Sequence, residues 1–113
     1  MIGAEARPDD VIDRLYKVIE GRRTADPAQS YVAKRLQQGT EKIAQKVGEE
    51  AVETAIAAVA GKRSEVIAES ADLLFHLLIL WADAGISPDD VRAELARREG
   101  LSGIDEKLKR KAP

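Results

Sequence analysis

The chain has no cysteine and a single histidine, His76, among its 113 residues. The first absence excludes disulfides and thiolate metal sites; the second excludes a site built from several histidines of one chain. Aromatic side chains number four, Tyr16, Tyr31, Phe75 and Trp81. So few give no platform for stacking single-stranded bases, and no nucleic-acid partner is expected. Long apolar runs are also missing. The richest stretch, Ala71 to Ala84, is broken by Asp72, His76 and Asp83 and is too short to span a bilayer, so no membrane role is expected. The N-terminal residues lack the basic start and apolar core of a signal peptide. The cytoplasm is the expected compartment.

Apolar residues make up 44% of the chain and charged residues 34%. The length suits one domain, residues 1–113, with a small core that a second copy would enlarge. The net charge of −2 conceals an uneven distribution. Residues 40–91 hold ten acids and four bases, whereas residues 92–113 hold seven bases and four acids. An acidic centre with a basic tail fits a cation site beside an anion site, and equally an uneven surface.

Helical signals run the length of the chain. Pro8, Asp9 and Asp10 suit a first turn, and Val11, Leu15, Val18 and Ile19 follow at helical spacing up to Gly21. Ser30 is placed to cap a short helix ended by Gly39. Thr40 is then expected to cap a long helix to about Ala60, with Ile43, Val47, Ala51, Ala55 and Val59 on its apolar side. Ser64 is expected to cap a second long helix to about Ala84. The later half of that helix, from Leu73 to Trp81, is apolar nearly all round, and a second subunit is expected to cover it. Ser87, Pro88 and Asp90 form a strong start for a further helix. The fold class is all-α: an antiparallel bundle of four to five helices, completed by dimerisation.

Chemistry concentrates in Glu49-Glu50-Ala51-Val52-Glu53 and Glu69-Ser70-Ala71-Asp72. At about 100° per residue, Glu50 and Glu53 lie on neighbouring lines of one helix, as do Glu69 and Asp72 on the next. A short turn near Gly61 makes the two helices antiparallel. Glu53 and Glu69 are equidistant from Gly61, and so are Glu50 and Asp72, which brings the acidic pairs to matching heights. Facing carboxylates repel unless a cation sits among them. Mg²⁺ suits such oxygen ligands, with Mn²⁺ as a replacement. Solvated acidic faces are the plainer alternative. A di-iron site is set aside, because position 73 is Leu where a Glu-x-x-His motif would need an acid. His76 continues the stripe of Glu69 and Asp72; a hydrogen-bonded core histidine is expected there, with orientation of a carboxylate as the alternative.

The strings Lys46-Val47-Gly48-Glu49-Glu50-Ala51-Val52-Glu53 and Glu69-Ser70-Ala71-Asp72-Leu73-Leu74-Phe75-His76 resemble the phosphoribosyl-ATP pyrophosphatase family. That family belongs to the MazG-like all-α nucleotide pyrophosphatases, whose pattern is E-E-x-x-E followed by E-x-x-D. Ser30-Tyr31, Gly39-Thr40, and the tail Arg97-Arg98-Glu99-Gly100 with Ser102-Gly103-Ile104-Asp105-Glu106-Lys107 extend the likeness over nearly the whole chain. The resemblance implies Mg²⁺-dependent hydrolysis of phosphoribosyl-ATP between the α- and β-phosphates, the second step of histidine biosynthesis. It implies Glu50, Glu53, Glu69 and Asp72 as metal ligands. Glu49 is either a further ligand or the general base toward water. A homodimer is expected.

Phosphate binding also needs cations. Lys42 and Lys46 lie on the acidic helix, and Lys46 has two open roles: reaching a phosphate, or pairing with Glu49 and Glu50. Arg98 and Lys107 of the tail are expected to close over substrate. Gly48 is unusual inside a helix, costing about 1 kcal/mol against Ala, and serves either close approach or simple packing. Two other functions fit the same acids: a house-cleaning pyrophosphatase acting on another nucleotide, and a non-catalytic helical dimer.

Overall fold

The computed structural model describes residues 10–101 and Arg110. Among them are five helices and no strand. They are α1 (Val11–Gly21), α2 (Tyr31–Gln38), α3 (Thr40–Val59), α4 (Arg63–Ala84) and α5 (Pro88–Arg98). No described helix is long and apolar enough to cross a membrane.

Local chemistry sets most helix starts. Asp10 caps α1 and Asp13 returns the hydrogen bond to the cap backbone, closing a capping box. Ser30 accepts from the Ala33 N–H at 3.1 Å and starts α2. Ser87 and Asp90 close a second capping box at α5, with Pro88 in the first turn. Thr40 and Ser64 do not cap as expected. Helix α3 already includes Thr40, and its N-cap is Gly39, a backbone at φ +97° that side chains rarely adopt. The Thr40 hydroxyl instead donates to Asp83 Oδ2 at 2.6 Å, joining the start of α3 to the end of α4. Helix α4 begins one residue earlier than Ser64, behind Lys62, with no side-chain cap.

Helices α3 and α4 form an antiparallel hairpin around Gly61, whose φ of +72° makes the tight reversal. The core lies at the end of the hairpin away from that turn. There Ile43 of α3 and Leu78, Ile79 and Ala82 of α4 pack with Ile19 of α1 and Val32 of α2. Leu15, Tyr16, Leu36, Phe75 and Trp81 close around them. Most of the later half of α4 is therefore covered by the chain's own α1 and α2, with Leu74 left exposed. Much of the cover expected from a second subunit is thus supplied within the chain.

Further apolar surface is left uncovered. Val52, Ile56 and Val59 of α3 and Ile67 and Leu74 of α4 are exposed, Val59 by 91%. Ala51 and Ala55, expected on the buried side of α3, are exposed too. The residues of α3 that are buried are Ile43, Glu50 and Ala57.

Polar clasps hold the outer helices. Arg92 of α5 reaches Asp13 at 2.7 Å, Asp10 at 3.0 Å and Asp89 at 3.2 Å. The Arg23 guanidinium donates to the Ala82 carbonyl at the end of α4. The Tyr16 hydroxyl faces two acceptors, the Ile86 carbonyl at 2.6 Å and Glu20 Oε2 at 2.9 Å. Burial, reinforced by the Glu20 carboxylate, pushes the Tyr16 hydroxyl up to about 12. An unfolded tyrosine titrates near 10. The native state therefore holds this proton more tightly, and its contribution is complete below pH 10 and lost as pH rises toward 12. Replacing Tyr16 by Phe is expected to lower stability by about 1 kcal/mol in urea unfolding at neutral pH. It should also flatten the fall in stability between pH 10 and 11.5; an unchanged alkaline slope would refute the assignment.

Candidate metal centre

Helix period and the tight turn together bring α3 and α4 into register at the acidic residues. One carboxylate oxygen from each of Glu50, Glu69 and Asp72 lies within 4.8 Å of the other two. Glu50 is 5% exposed, Glu69 is half-buried and Asp72 is exposed, so the cluster opens from the hairpin interior toward solvent. Glu50 Oε2 and Glu69 Oε1 are buried and have no hydrogen-bond partner among the described residues. Buried carboxylate oxygens without donors are costly. That pair of orphaned oxygens, with a third carboxylate beside them, fits a hard cation with oxygen ligands.

Glu53 is not one of the three mutually close acids. It lies about 60° round the helix from Glu50. It lines an open groove of about 240 Å³ with Glu69, Ile56, Ala57, Ala60, Lys62 and Glu65. Glu69 stands between the two environments. Burial first, then the neighbouring carboxylates of Glu50 and Glu53, holds its carboxyl above the usual range.

Lys46 pairs with the acids of its own helix. Its Nζ lies 3.6 Å from Glu50 Oε1 and 3.8 Å from Glu49 Oε1. Glu49 is exposed and also accepts from Gln45 Nε2 at 2.9 Å, so it sits beside the cluster and not in it. Lys42, one turn before Lys46, is exposed with no carboxylate in ion-pair range among the described residues. Arg98 bonds Glu94 at 3.0 Å; with Arg97 it pulls that carboxyl down to about 2. Lys107 lies outside the described residues. Among the described residues a Cβ at Gly48 would meet nothing within 4 Å, so none of them requires glycine there.

His76 is buried and doubly bonded. Its Nδ1 is 2.9 Å from the Asp72 carbonyl and its Nε2 is 2.7 Å from the Tyr31 hydroxyl. A carbonyl can only accept, so Nδ1 carries the proton and Nε2 accepts from Tyr31. The expected hydrogen-bonded core histidine is found, and it leans on the turn that carries Asp72. Tyr31 is the site residue that sequence reasoning did not single out. Its partner lies 45 positions away on another helix, and no local pattern reports that pairing.

Residues 12–99 match the family described as phosphoribosyl-ATP pyrophosphohydrolase. Several relatives carry the name phosphoribosyl-ATP pyrophosphatase. One from Azospirillum brasilense is 59% identical over 102 residues, covering 90% of this chain and 92% of the relative. One from Paramagnetospirillum magneticum is 54% identical over 105 residues, covering 93% and 96%. One from Rhodospirillum rubrum is 57% identical over 102 residues, covering 90% and 87%.

The raised Glu69 carboxyl gives a pH prediction of unusual sign. Between the ordinary glutamate value and the raised native one, the folded chain binds more protons than the unfolded chain. In metal-free solution its contribution should therefore weaken as pH rises through that window. Glu69→Gln, which keeps the shape without the charge, is expected to raise the metal-free melting temperature at pH 7. It should also blunt the pH dependence. Calorimetry in a chelator checks both, and a destabilised variant would refute the repulsion.

Proposed function

The chain belongs to the phosphoribosyl-ATP pyrophosphohydrolase family, and on that premise we propose that it hydrolyses phosphoribosyl-ATP between the α- and β-phosphates. The products are phosphoribosyl-AMP and pyrophosphate, and the step is the second of histidine biosynthesis. One observation carries the reading to particular residues: Glu50, Glu69 and Asp72 converge around buried oxygens that lack partners. We read residues 1–113 as one helical unit, working in the cytoplasm.

Mg²⁺, or Mn²⁺ in its place, is the ion this donor set suits, held by Glu50, Glu69 and Asp72 with Glu53 joining from the adjoining groove. When bound, such an ion neutralises phosphate oxygens and lowers the pKa of a coordinated water. The rest falls to the chain. Buried Glu50 and the hairpin packing keep the acids from splaying apart. Glu49, exposed beside the cluster, is assigned as the base that takes a proton from the attacking water and returns it to solvent. Lys46 holds Glu49 and Glu50 in place and presents its ammonium toward bound phosphate. Lys42 supplies a second cation from one turn away, and Arg98 and Lys107 close the substrate from the C-terminal side. Positioning and charge neutralisation suffice for phosphoanhydride hydrolysis, with no covalent intermediate on the protein.

The uncovered face supports a homodimer. Val52, Ile56 and Val59 recur at helical spacing on α3, and Ile67 and Leu74 do so on α4. Both helices also carry the metal ligands, so covering this face with a second copy would set the two centres close to the subunit boundary. Ile56→Asp is expected to yield a monomer in sedimentation velocity while leaving the helical signal intact; an unchanged sedimentation coefficient for an associating wild type would exclude this face.

The direct test is incubation with phosphoribosyl-ATP, with and without Mg²⁺, reading both products. Product release only with the ion is expected. Asp72→Asn and Glu53→Gln should each lower turnover at least a hundredfold with native circular dichroism, and should lose the Mg²⁺-induced rise in melting temperature. Rates near wild type in either variant would remove that residue from the site.

A further inference from the structure

Helix α2 carries cations that the reaction as described does not use. Residues 22–38 contain four bases, Arg22, Arg23, Lys34 and Arg35, against the single acid Asp26. Arg35 is held on three sides. Its Nε donates to the Tyr31 hydroxyl at 2.8 Å, its Nη1 donates to Gln38 Oε1 at 2.8 Å, and its guanidinium carbon lies 4.8 Å over the Tyr31 ring. None of these partners is a carboxylate. Among the described residues neither Arg35 nor Lys34 has an acid in ion-pair range. Lys34 lines an open groove of about 550 Å³ with Ser30, Tyr31 and Gln37.

A guanidinium whose orientation is fixed but whose charge is not neutralised is prepared for an anion. Its side-chain entropy is already spent, and its remaining N–H groups have no partner among the described residues. Tyr31 fixes where this anion would sit. Its hydroxyl accepts from Arg35 and donates to His76 Nε2, and His76 Nδ1 donates to the Asp72 carbonyl. Three hydrogen bonds thus run from the guanidinium to the backbone of a proposed metal ligand. The distance between α2 and the acidic cluster is set by side chains with no slack polar group in the series.

We propose that Tyr31, Lys34 and Arg35 form a second anion subsite that binds a phosphate group of the substrate remote from the bond being cleaved. The inference rests on the hydrolase reading above. Two phosphates share this chemistry: the 5′-phosphate of the substrate's phosphoribosyl end and the far end of its polyphosphate chain.

The test is steady-state kinetics of the full chain with phosphoribosyl-ATP, and with ATP as a competing ligand. Variants are Lys34→Gln, Arg35→Gln, both together, and Arg35→Lys. The double variant is expected to raise KM for phosphoribosyl-ATP by at least roughly tenfold, with kcat within about threefold of wild type. Arg35→Lys should recover part of the loss. An unchanged inhibition constant for ATP assigns the subsite to the phosphoribosyl phosphate; a parallel rise assigns it to the polyphosphate chain. Either result supports the subsite. A KM within twofold of wild type in the double variant overturns it, as does a fall in kcat that tracks a lower melting temperature. Lys34 is exposed and has no acid in ion-pair range among the described residues, so Lys34→Gln keeps the test valid if Arg35 variants fold poorly. Wild-type protein that releases no pyrophosphate from phosphoribosyl-ATP overturns the hydrolase reading itself, whereas active wild type with unaffected variants overturns the subsite alone.

Discussion

Two helices press like charges together where neither helix can move away. Glu50, Glu69 and Asp72 sit in the middle of the α3–α4 hairpin, between a hydrophobic anchor and a tight turn. The anchor is Ile43 against Leu78, Ile79 and Ala82, locked from outside by Ile19 and Val32. At the other end Gly61 holds the helices to a short reversal. Apolar burial, at about 25 cal/mol per Å², is non-directional and pulls the hairpin shut along its length. The carboxylates oppose it. The cost appears as the raised Glu69 carboxyl and the two donorless oxygens. Core residues that never touch a ligand thus maintain the local repulsion that makes a divalent cation favourable.

Along the hairpin the polarity is graded. Near the turn, Glu53, Glu65 and Glu69 meet an open groove. In the middle the three acids converge. One turn further along α4, His76 marks the boundary with the core, buried yet fully bonded. Its imidazole can occupy that boundary because both nitrogens have partners of fixed polarity. Loss of either partner would leave a buried polar atom, which costs more than the bond itself contributes. Tyr31 therefore couples the placement of α2 to the placement of the acids. Thr40 and Asp83 make a comparable tie at the far end of the hairpin.

Much of this was legible in the residue order, and the failures have identifiable causes. Convergence of Glu50, Glu69 and Asp72 follows from helix period plus a short antiparallel turn, both local properties. The five helices were readable for the same reason, from Ser30, Gly39, Gly61 and the Ser87–Asp90 box. The buried side of α3 was not. Steps of four from Ile43 through Val47, Ala51 and Ala55 to Val59 drift about 40° each, so the line winds from the core onto the surface. Val59, at its end, is 91% exposed. Thr40 and Ser64 look like caps, but hydroxyl chemistry is also open to distant partners, and Asp83 takes the first. The apolar run from Leu73 to Trp81 correctly signalled cover on most sides. It carried no information on whether α1 and α2 or a second copy supplied it.

In the proposed reaction the acids serve bond cleavage but not choice of substrate. Any nucleotide with a phosphoanhydride offers oxygens to a cation in this cluster, so carboxylates alone discriminate little. Discrimination requires groups that meet what one substrate has and another lacks, at a fixed distance from the reacting bond. In this chain the acidic hairpin and the basic segment at residues 22–38 are separate in sequence, yet a short series of hydrogen bonds through Tyr31 and His76 joins them. A rigid link between a general cleavage site and a fixed cation converts phosphate spacing into binding energy. Flexible lysines on a mobile loop would meet phosphates at many spacings and distinguish them poorly. In the proposed reading, selectivity resides on α2, while the long helices supply the chemistry common to all such substrates.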